Sequence, residues 1–275
     1  MQLRARALFL VAAAAAVSAT SIIGNSSPRD RAASPSSLAD SSGPSASPSG
    51  EAHWDTVATF SVLGYDPKTG EIGGAVQSRV FSVGNGVLWA EAGVGAVATQ
   101  AVVDVGYGPR CLELLREEMP PAEIIDEVWG ADPDPMPDRW SKQGRQFAVI
   151  DREGNAAAFT GPKAPPWAGH KAGDHVTAQG NILAGEAVVD AMVEAFEKTE
   201  GHLSFRLLAA LEAGQAAGGD KRGMQSAAML IAKEKGGPWL NNDVVLRLQV
   251  DDHEQPIKEL RRLVEKAAAM RGPRR

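Results

Sequence analysis

The sequence predicts an α+β protein built as a four-layer αββα sandwich of antiparallel sheets, and three observations predict it. Short apolar segments occur in pairs joined by turn residues, as in antiparallel hairpins. Small residues are frequent in these segments, and apolar and polar residues alternate weakly, which is typical of strands covered on both faces. Amphipathic helices also occur in pairs between the strands. Two sheets packed on each other, with helices outside, satisfy all three.

The first strand pair is the clearest. Thr59–Tyr65 and Glu71–Ser78 flank the segment DPKTG, in which proline and glycine occupy positions typical of a turn. The segment GVGAVATQAV, residues 93–102, predicts a third strand. Two more hairpins are expected, at 145–150 with 156–160 and at 226–232 with 244–250.

Apolar residues at spacings of three and four predict five helices. The last of them has Pro256 in its first turn, where proline is favoured. Cys111 lies on the apolar face of the first helix, where we expect it to pack in the core. The expected helices are 108–119, 121–130, 186–199, 203–214 and 256–270.

The first 19 residues have the composition of a Sec-type signal peptide. Arg4 and Arg6 precede an apolar run, and small residues lead to a plausible cleavage site at Val17–Ala19. The apolar run is shorter than a bilayer requires, so no stable membrane anchor is expected. We therefore expect a secreted or periplasmic protein; a buried N-terminal helix is the alternative.

A linker is expected between the signal peptide and the folded domain. Residues 20–53 are dominated by serine, proline, glycine and alanine, and they contain few apolar side chains that a core would bury. Such a segment cannot offset the entropy cost of ordering, so we expect it to be disordered. The folded domain is expected over residues 54–271.

Composition argues against several classes of function. The chain of 275 residues has a formal net charge of -6 and no long basic run, which argues against a nucleic-acid partner. Its single cysteine excludes an intrachain disulfide and a cysteine-based metal site. His170 and His175 are the best candidates for a metal pair, but only Asp174 accompanies them. We therefore predict no metal and no cofactor.

Several segments resemble one family, in the order that the family has them. The segment TFSVLGYDPKTGEIGGAVQSRVFSVGNGVLWAEAGVGAVATQA is similar to the opening of the domain of unknown function family 1028. PWAGH, QGNILAG, AAGGDKRGMQSAAML and LRLQVDDHEQP are similar to its later segments, so that the resemblance covers residues 58–265. The resemblance implies an Ntn-hydrolase-like αββα fold (Ntn, N-terminal nucleophile). It implies no substrate, because none is established for the family.

The resemblance places Thr59 where Ntn-type hydrolases keep their nucleophile, at the start of the first strand. In that chemistry the chain is cut before the threonine. The freed α-amine, whose pKa is near neutral, then takes the proton of the threonine's own hydroxyl. Here the Ala58–Thr59 bond would have to be cut, by self-processing or by another protease. The alternative is that Thr59 is an ordinary strand residue.

Three further residues are expected near the nucleophile or in its pocket. Ser78 and Arg79 end the second strand, beside the expected position of Thr59. Arg79 is expected to hold a substrate carboxylate through its forked donors; a surface salt bridge is the alternative. His170 is expected to form hydrogen bonds in the pocket, with Trp167 as an apolar wall. Where proteasome-like proteins keep a lysine this chain has none, and Glu91 is the nearest charge, which argues against a proteasome-type protease.

Two polar groups complete the predicted site. Gln179 and Asn181 are expected where a strand ends and a helix begins, with amides that donate to an oxyanion or bind an amide substrate; turn and capping roles are the alternative. Asp220, Arg222 and Gln225 form a polar cluster in a glycine-rich loop before a strand. We interpret this cluster as a pocket rim; an ion-pair network is the alternative.

These expectations together predict a secreted amidohydrolase of the Ntn type that acts on a C–N bond of a small amide or peptide. Its partner is then a small-molecule or peptide substrate, and a homo-oligomer is left open. The alternative is a non-catalytic envelope binding protein that retains the Ntn-like fold and pocket. A scaffold or oligomer-forming envelope protein is a third hypothesis.

Overall fold

The computed structural model describes residues 59–271, without the side chain of Arg271. The expected signal peptide and linker, and residues 54–58 of the expected domain, lie outside the described residues. Within residues 59–271, no helix has both the length and the apolar character that crossing a membrane requires.

The described chain forms strands and helices in the following order. The strands are β1 Thr59–Asp66, β2 Glu71–Ser78, β3 Leu88–Glu91, β4 Gly95–Ala101, β5 Arg145–Asp151, β6 Ala156–Thr160, β7 Gly169–Gly173, β8 Val176–Gly180, β9 Ser226–Ala232 and β10 Val244–Val250. The α-helices are α1 Tyr107–Arg116, α2 Pro121–Ala131, α3 Ala187–Lys198, α4 Leu203–Ala216 and α5 Pro256–Arg271.

The strands form two antiparallel sheets that pack face to face. The six-stranded sheet has the order β10-β9-β2-β1-β8-β7, and the four-stranded sheet has the order β3-β4-β5-β6. Helices α3, α4 and α5 cover the outer face of the larger sheet, and α1 and α2 cover the outer face of the smaller one. A third apolar core fills the space between the sheets. The predicted four-layer αββα sandwich is confirmed.

Alternation along β1 assigns its side chains to two layers. Phe60 and Val62 pack in the core beneath α3 and α4, whereas Leu63 packs in the core between the sheets. Successive side chains of a strand point to opposite faces, so Thr59 and Ser61 share the inter-sheet face with Leu63. Both faces of β1 are thus covered, as the weak alternation of its sequence predicted.

Small residues in the inner strands let the larger sheet pack closely against the helices on one face and against the smaller sheet on the other. A Cβ atom added to Gly74 would lie 2.7 Å from Leu63 Cδ2, and one added to Gly64 would lie 2.5 Å from a ring carbon of Phe196. Interiors packed at this density do not accommodate an extra methyl group without strain. The frequent glycines of these strands therefore reflect close packing on both faces.

Three strands were not predicted. β3 is short, with all four of its residues half-buried, and β7 is an exposed edge strand of sequence GHKAG that contains no large apolar residue. β8 is fully buried, but only Val176 among its residues is a large apolar one. The strand expected at 93–102 is β4, and the other predicted strands lie within one residue of the observed bounds.

A buried cluster of charged and aromatic side chains lies beneath α1 and α2. Tyr107 Oη donates to Asp132 Oδ2 at 2.6 Å, and Arg145 Nε donates to the same oxygen at 3.1 Å. Arg145 also donates to the carbonyl oxygens of Val102 and Trp140. Burial by itself would raise the pKa of Asp132, but the hydrogen bonds it accepts and the charge of Arg145 lower that pKa overall. We call Tyr107, Asp132 and Arg145 the charged cluster.

Cys111 lies in the core between α1 and the smaller sheet, as predicted. Its side chain is fully buried, and burial raises the pKa of its thiol to about 12. The thiol therefore stays protonated and unreactive at neutral pH.

Candidate functional site

Thr59 is the first residue of β1, in the middle of the six-stranded sheet between β2 and β8. Its side chain points into the inter-sheet layer and is fully buried. The Thr59 hydroxyl donates to Ser78 Oγ at 3.1 Å. Ser78 is in register with Thr59 on one side and with Ser226 on the other, so three hydroxyl side chains lie in one row across β1, β2 and β9.

The carbonyl oxygen of Thr59 accepts three N–H groups. The backbone N–H of Asn181 donates to it at 3.0 Å. Two side-chain amides approach it more loosely, Gln100 Nε2 at 3.4 Å and Asn181 Nδ2 at 3.5 Å. Because Gln100 belongs to the smaller sheet, these contacts tie the beginning of β1 to both sheets.

Gln146, on β5 of the smaller sheet, connects the amides around Thr59. The two hydrogens of its Nε2 point to the Gly180 carbonyl at 2.8 Å and to Thr160 Oγ1 at 2.9 Å, and the Gly169 carbonyl is a further acceptor at 3.1 Å. Its Oε1 accepts from Gln100 Nε2 at 2.9 Å and from Asn181 Nδ2 at 3.2 Å. Both the oxygen and the nitrogen of the Gln146 carboxamide are hydrogen-bonded. Its oxygen sets the orientation of the amides of Gln100 and Asn181.

Ser61 and Gln179 extend the same network along β1 and β8. Ser61 Oγ donates to Gln100 Oε1 at 2.6 Å and accepts from Gln179 Nε2 at 2.6 Å. Gln179 Oε1 accepts from Thr177 Oγ1 at 3.3 Å. These side chains are buried and uncharged. We call this set the Thr59 network, and its members are Thr59, Ser61, Gln100, Gln146, Gln179 and Asn181.

One buried amide oxygen beside Thr59, Asn181 Oδ1, has no hydrogen-bond partner within residues 59–271. Gln77 Oε1 also lacks one there, but Gln77 is in register with Phe60, so its side chain lies on the opposite, helix-covered face of the sheet. The orientation of Asn181 follows from Gln146, because an oxygen of Asn181 turned towards Gln146 Oε1 would face another acceptor. Buried polar groups are nearly always paired, so the unpaired oxygen of Asn181, whose amide contacts the Thr59 carbonyl, marks this end of β1 as a candidate site.

Arg79 follows directly after β2 and is exposed. Its Nη1 donates to the Arg222 carbonyl oxygen at 2.7 Å. In the part of the chain that the structure describes, no carboxylate lies within ion-pairing distance of Arg79, so the salt bridge considered as an alternative is not found there. The remaining donors of its guanidinium are available at the edge of the site.

The loop before β9 is fixed by its own polar residues. Arg222 Nη2 pairs with Asp220 Oδ2 at 3.1 Å, and the Arg222 N–H donates to Asp220 Oδ1 at 2.8 Å. Gln225 N–H donates to the Ser78 carbonyl at 2.9 Å, which attaches the loop to the end of β2. The side chain of Gln225 turns away to Asp252. The cluster thus lies beside the Thr59 row, and its central contact is an ion pair.

His170 is connected to the Thr59 network through Thr160. Because Gln146 Nε2 donates to Thr160 Oγ1, the Thr160 hydroxyl is left to donate to His170 Nδ1, 2.9 Å away. This pattern assigns the ring proton of His170 to Nε2. Desolvation of the ring lowers the pKa of His170, so the ring is neutral at pH 7.

The structure therefore brings Thr59, Ser78, Gln179 and Asn181 together and attaches the other predicted residues to their edge. Gln179 and Asn181 lie at the end of a strand, as expected, since β8 ends at Gly180 between them. The expected helix start was wrong, because the next helix begins only at Ala187. Sequence reasoning missed Ser61, Gln100 and Gln146. Their signal was a polar residue inside an apolar strand, as in VATQA and RQFAV.

No group of three or more histidine, cysteine, aspartate or glutamate side chains within residues 59–271 is arranged to hold a metal ion. Neither His170 nor His175 therefore belongs to such a group. His175 instead packs edge-to-face against Tyr65 at the opposite end of β1.

Comparison with protein-family models identifies the family of this chain. The model of the family of unknown function DUF1028 matches residues 59–260, beginning at Thr59 itself. This chain belongs to that family. The crystal structure of protein SPO2555 from Silicibacter pomeroyi, described as a DUF1028 protein, is 34% identical with a TM-score of 0.68. The match covers 77% of this chain and 86% of that protein.

Two Anbu structures show a weaker similarity to this DUF1028 protein. An Anbu mutant from Hyphomicrobium sp. strain MC1 is 12% identical, with a TM-score of 0.34 over 79% of this chain and 98% of the other. Anbu from Yersinia bercovieri is 11% identical, with a TM-score of 0.32 over 77% and 95%. Both are too distant to bear on function. Among curated proteins, no sequence matches the chain.

Proposed function

We propose that this protein is a secreted amidohydrolase of the Ntn type, which attacks the C–N bond of a small amide or peptide through Thr59. The observation that carries the proposal is the position of Thr59. It is the first residue of the central strand β1, and its hydroxyl lies between the two sheets in a row with Ser78. Membership of DUF1028, whose family match begins at Thr59, supports it.

The chemistry of the Thr59 network explains why cleavage before Thr59 is required. Its members other than Thr59 carry only amides and a hydroxyl, and none of these takes a proton at neutral pH. Hydrolysis of the Ala58–Thr59 bond would create an α-amine with a pKa of about 8, adjacent to the hydroxyl. That amine would take the hydroxyl proton as Oγ1 attacks the substrate carbonyl, and return it to the leaving amine. Water would then hydrolyse the ester and restore Thr59.

We assign the amides of Gln100 and Asn181 to positioning rather than to oxyanion stabilisation. Both already donate to the carbonyl oxygen of Thr59, at 3.4 and 3.5 Å. A donor that holds the nucleophile's own backbone fixes the direction of its hydroxyl and preorganises the site. Arg79, exposed beside Ser78 and with donors to spare, is the group that we propose for a substrate carboxylate.

The decisive experiment is the intact mass and N-terminal sequence of the mature protein exported by the cell. A start at Thr59 is expected for the wild type and for Thr59→Ser, which keeps a hydroxyl nucleophile. Thr59→Ala should remain uncut if the chain processes itself. Thr199→Ala, a change outside the network, is the matched control and should be cut normally. A stable mature protein that begins near Thr20 or Ser21 would exclude the amine-base mechanism.

A second candidate, a non-catalytic binding protein, is favoured by one observation. The Thr59 hydroxyl already donates to Ser78, and its side chain is fully buried. In such a protein Thr59 would be a structural strand residue, and the pocket edge at Arg79 would bind a ligand without cleavage. Thr59→Ala would then leave both the mature N-terminus and the ligand affinity unchanged.

A further inference from the structure

A cavity lies at the end of β1 opposite Thr59. Its volume is about 880 Å³, and it is lined by the β1–β2 turn, the β7–β8 turn, the segment that joins α3 to α4, and Arg206 of α4. Seven residue steps of about 3.3 Å each separate Asp66, in its lining, from Thr59, so it is distinct from the candidate active site. We call it the turn cavity. Its polar lining includes Asp66, Lys68, Glu197, Glu200, His202 and Arg206.

Arg206 is the central cation of the turn cavity. Its guanidinium lies 4.0 Å from the centre of the Phe196 ring, and its Nε donates to the Phe196 carbonyl oxygen. Within residues 59–271 no other hydrogen bond and no ion pair involves the Arg206 guanidinium. The stacking and the single bond fix the plane of the guanidinium and leave both of its Nη groups without a partner among these residues.

Partial desolvation of the Arg206 guanidinium favours the binding of an anion there. The half-buried position of the guanidinium lowers the pKa of Arg206, although three carboxylates nearby act in the opposite direction. Removing the charge of an arginine from water is costly, and a bound anion would offset that cost.

The three carboxylates that act on Arg206, those of Asp66, Asp174 and Glu197, contact other groups. Asp174 Oδ1 lies 3.7 Å from His175 Nε2. Both oxygens of Asp66 accept hydrogen bonds inside the β1–β2 turn, from Lys68 N–H and from Thr69 Oγ1. Glu197 Oε1 accepts from the Asp174 backbone N–H at 2.9 Å. These bonds hold the acidic groups on the wall and rim of the cavity instead of against the guanidinium.

The turn cavity is therefore lined by both positive and negative side chains. Arg206 offers two free donor groups suited to a carboxylate, whose two oxygens match the forked guanidinium. The exposed rim carries Glu197 and Glu200, which attract an ammonium group. A simple anion would satisfy Arg206 but would be repelled by this acidic rim, whereas a molecule with both charges satisfies both.

We propose that the turn cavity binds a small zwitterion, a free α-amino acid or a dipeptide, with its carboxylate on Arg206 and its ammonium group at Glu197 and Glu200. The binding involves no covalent step and does not depend on the chemistry at Thr59.

The test is calorimetric titration of the mature wild-type protein with L-alanine and L-alanyl-L-alanine, beside acetate and methylamine as single-charge probes. Saturable binding of at least one zwitterion, at least tenfold tighter than acetate, is expected. Arg206→Gln should weaken that binding at least tenfold, because a charge-assisted pair is lost. Arg247→Gln is the matched control: Arg247 is exposed on β10, away from the turn cavity, and its loss should change nothing.

A rim variant keeps the test decisive if Arg206→Gln does not fold. Glu200→Gln changes an exposed side chain, and it should weaken alanine binding while leaving acetate binding unchanged or stronger. Equal affinity for acetate and alanine, absence of saturable binding by every probe, or unchanged binding in both variants would each overturn the proposal. Thr59→Ala should bind alanine like the wild type, so a failure at Thr59 and a failure here are distinguishable.

Discussion

The Thr59 network and the charged cluster both bury polar side chains, but they satisfy their hydrogen bonds in different ways. In the charged cluster, Asp132 accepts from both Tyr107 and Arg145, and Arg145 also donates to backbone carbonyls. The Thr59 network has no formal charge, and Asn181 within it keeps an unpaired oxygen. Full pairing is typical of polar groups that hold a fold together, whereas incomplete pairing beside a candidate nucleophile is typical of a site.

The largest effect on stability should come from the charged cluster. Asp132→Ala removes the closer and buried counter-charge of Arg145 and leaves only Asp104 Oδ2, at 3.9 Å. This should lower the free energy of unfolding by about 3–5 kcal/mol in urea titration. Asp138→Ala, in the same loop but exposed, is the matched control and should change it by about 0.5 kcal/mol or less. Equal effects of the two changes would contradict the assigned role of the cluster.

The difference in free energy of unfolding between the wild type and Asp132→Ala should disappear at acid pH. The pKa of Asp132 is lowered in the folded state, below the unfolded value of about 3.9. Its contribution is therefore fully present above that unfolded value and is lost as the pH falls through the folded pKa. Urea titrations at a series of pH values should show the gap between the two proteins closing at acid pH, and a constant gap would contradict it.

The next largest effect should come from Gln146→Leu in the Thr59 network. The change removes one of the two acceptors of Gln100 Nε2 and of Asn181 Nδ2, and it removes a donor to the Gly180 carbonyl. A loss of about 2–3 kcal/mol is expected in urea titration, since each buried unpaired group costs about 1–3 kcal/mol. Gln143→Leu, at an exposed residue three positions earlier, is the control and should be near neutral.

The smallest effect on stability should come from Asn181→Leu. This variant best distinguishes the Thr59 network from the charged cluster. This change loses two long hydrogen bonds but also removes the unpaired oxygen, so the free energy of unfolding should change by less than about 1 kcal/mol. Asn181→Asp should cost more, because it turns a charged oxygen towards Gln146 Oε1. A loss with Asn181→Leu as large as that with Gln146→Leu would make the network purely structural.

The sequence predicted the parts of the fold that depend on neighbours along the chain. The β1–β2 hairpin and the β9–β10 pair were expected within one residue of their bounds, because their turns and apolar runs are local signals. β7 was missed because an exposed edge strand of small and polar residues has no apolar pattern. β8 was missed because buried amides such as Gln179 interrupt its apolar run.

The position of the candidate site was predicted from the sequence, but its hydrogen-bond network was not. Thr59, Ser78 and Asn181 were expected together, and the structure places them together. Gln100 and Gln146 were missed because their partners lie on the other sheet, more than 30 residues away along the chain. Only packing of the two sheets shows why a strand with an otherwise apolar inner face carries a glutamine at that point.

The buried state of Cys111 has a practical consequence for measurement. The chain contains one cysteine, and that thiol is fully buried with a pKa of about 12. Maleimide reagents react with exposed thiolates, so the folded native protein offers them no target. A cysteine introduced at an exposed residue such as Lys68 would therefore be the single labelled position, and a fluorophore there would report occupancy of the neighbouring space without mutation of the background.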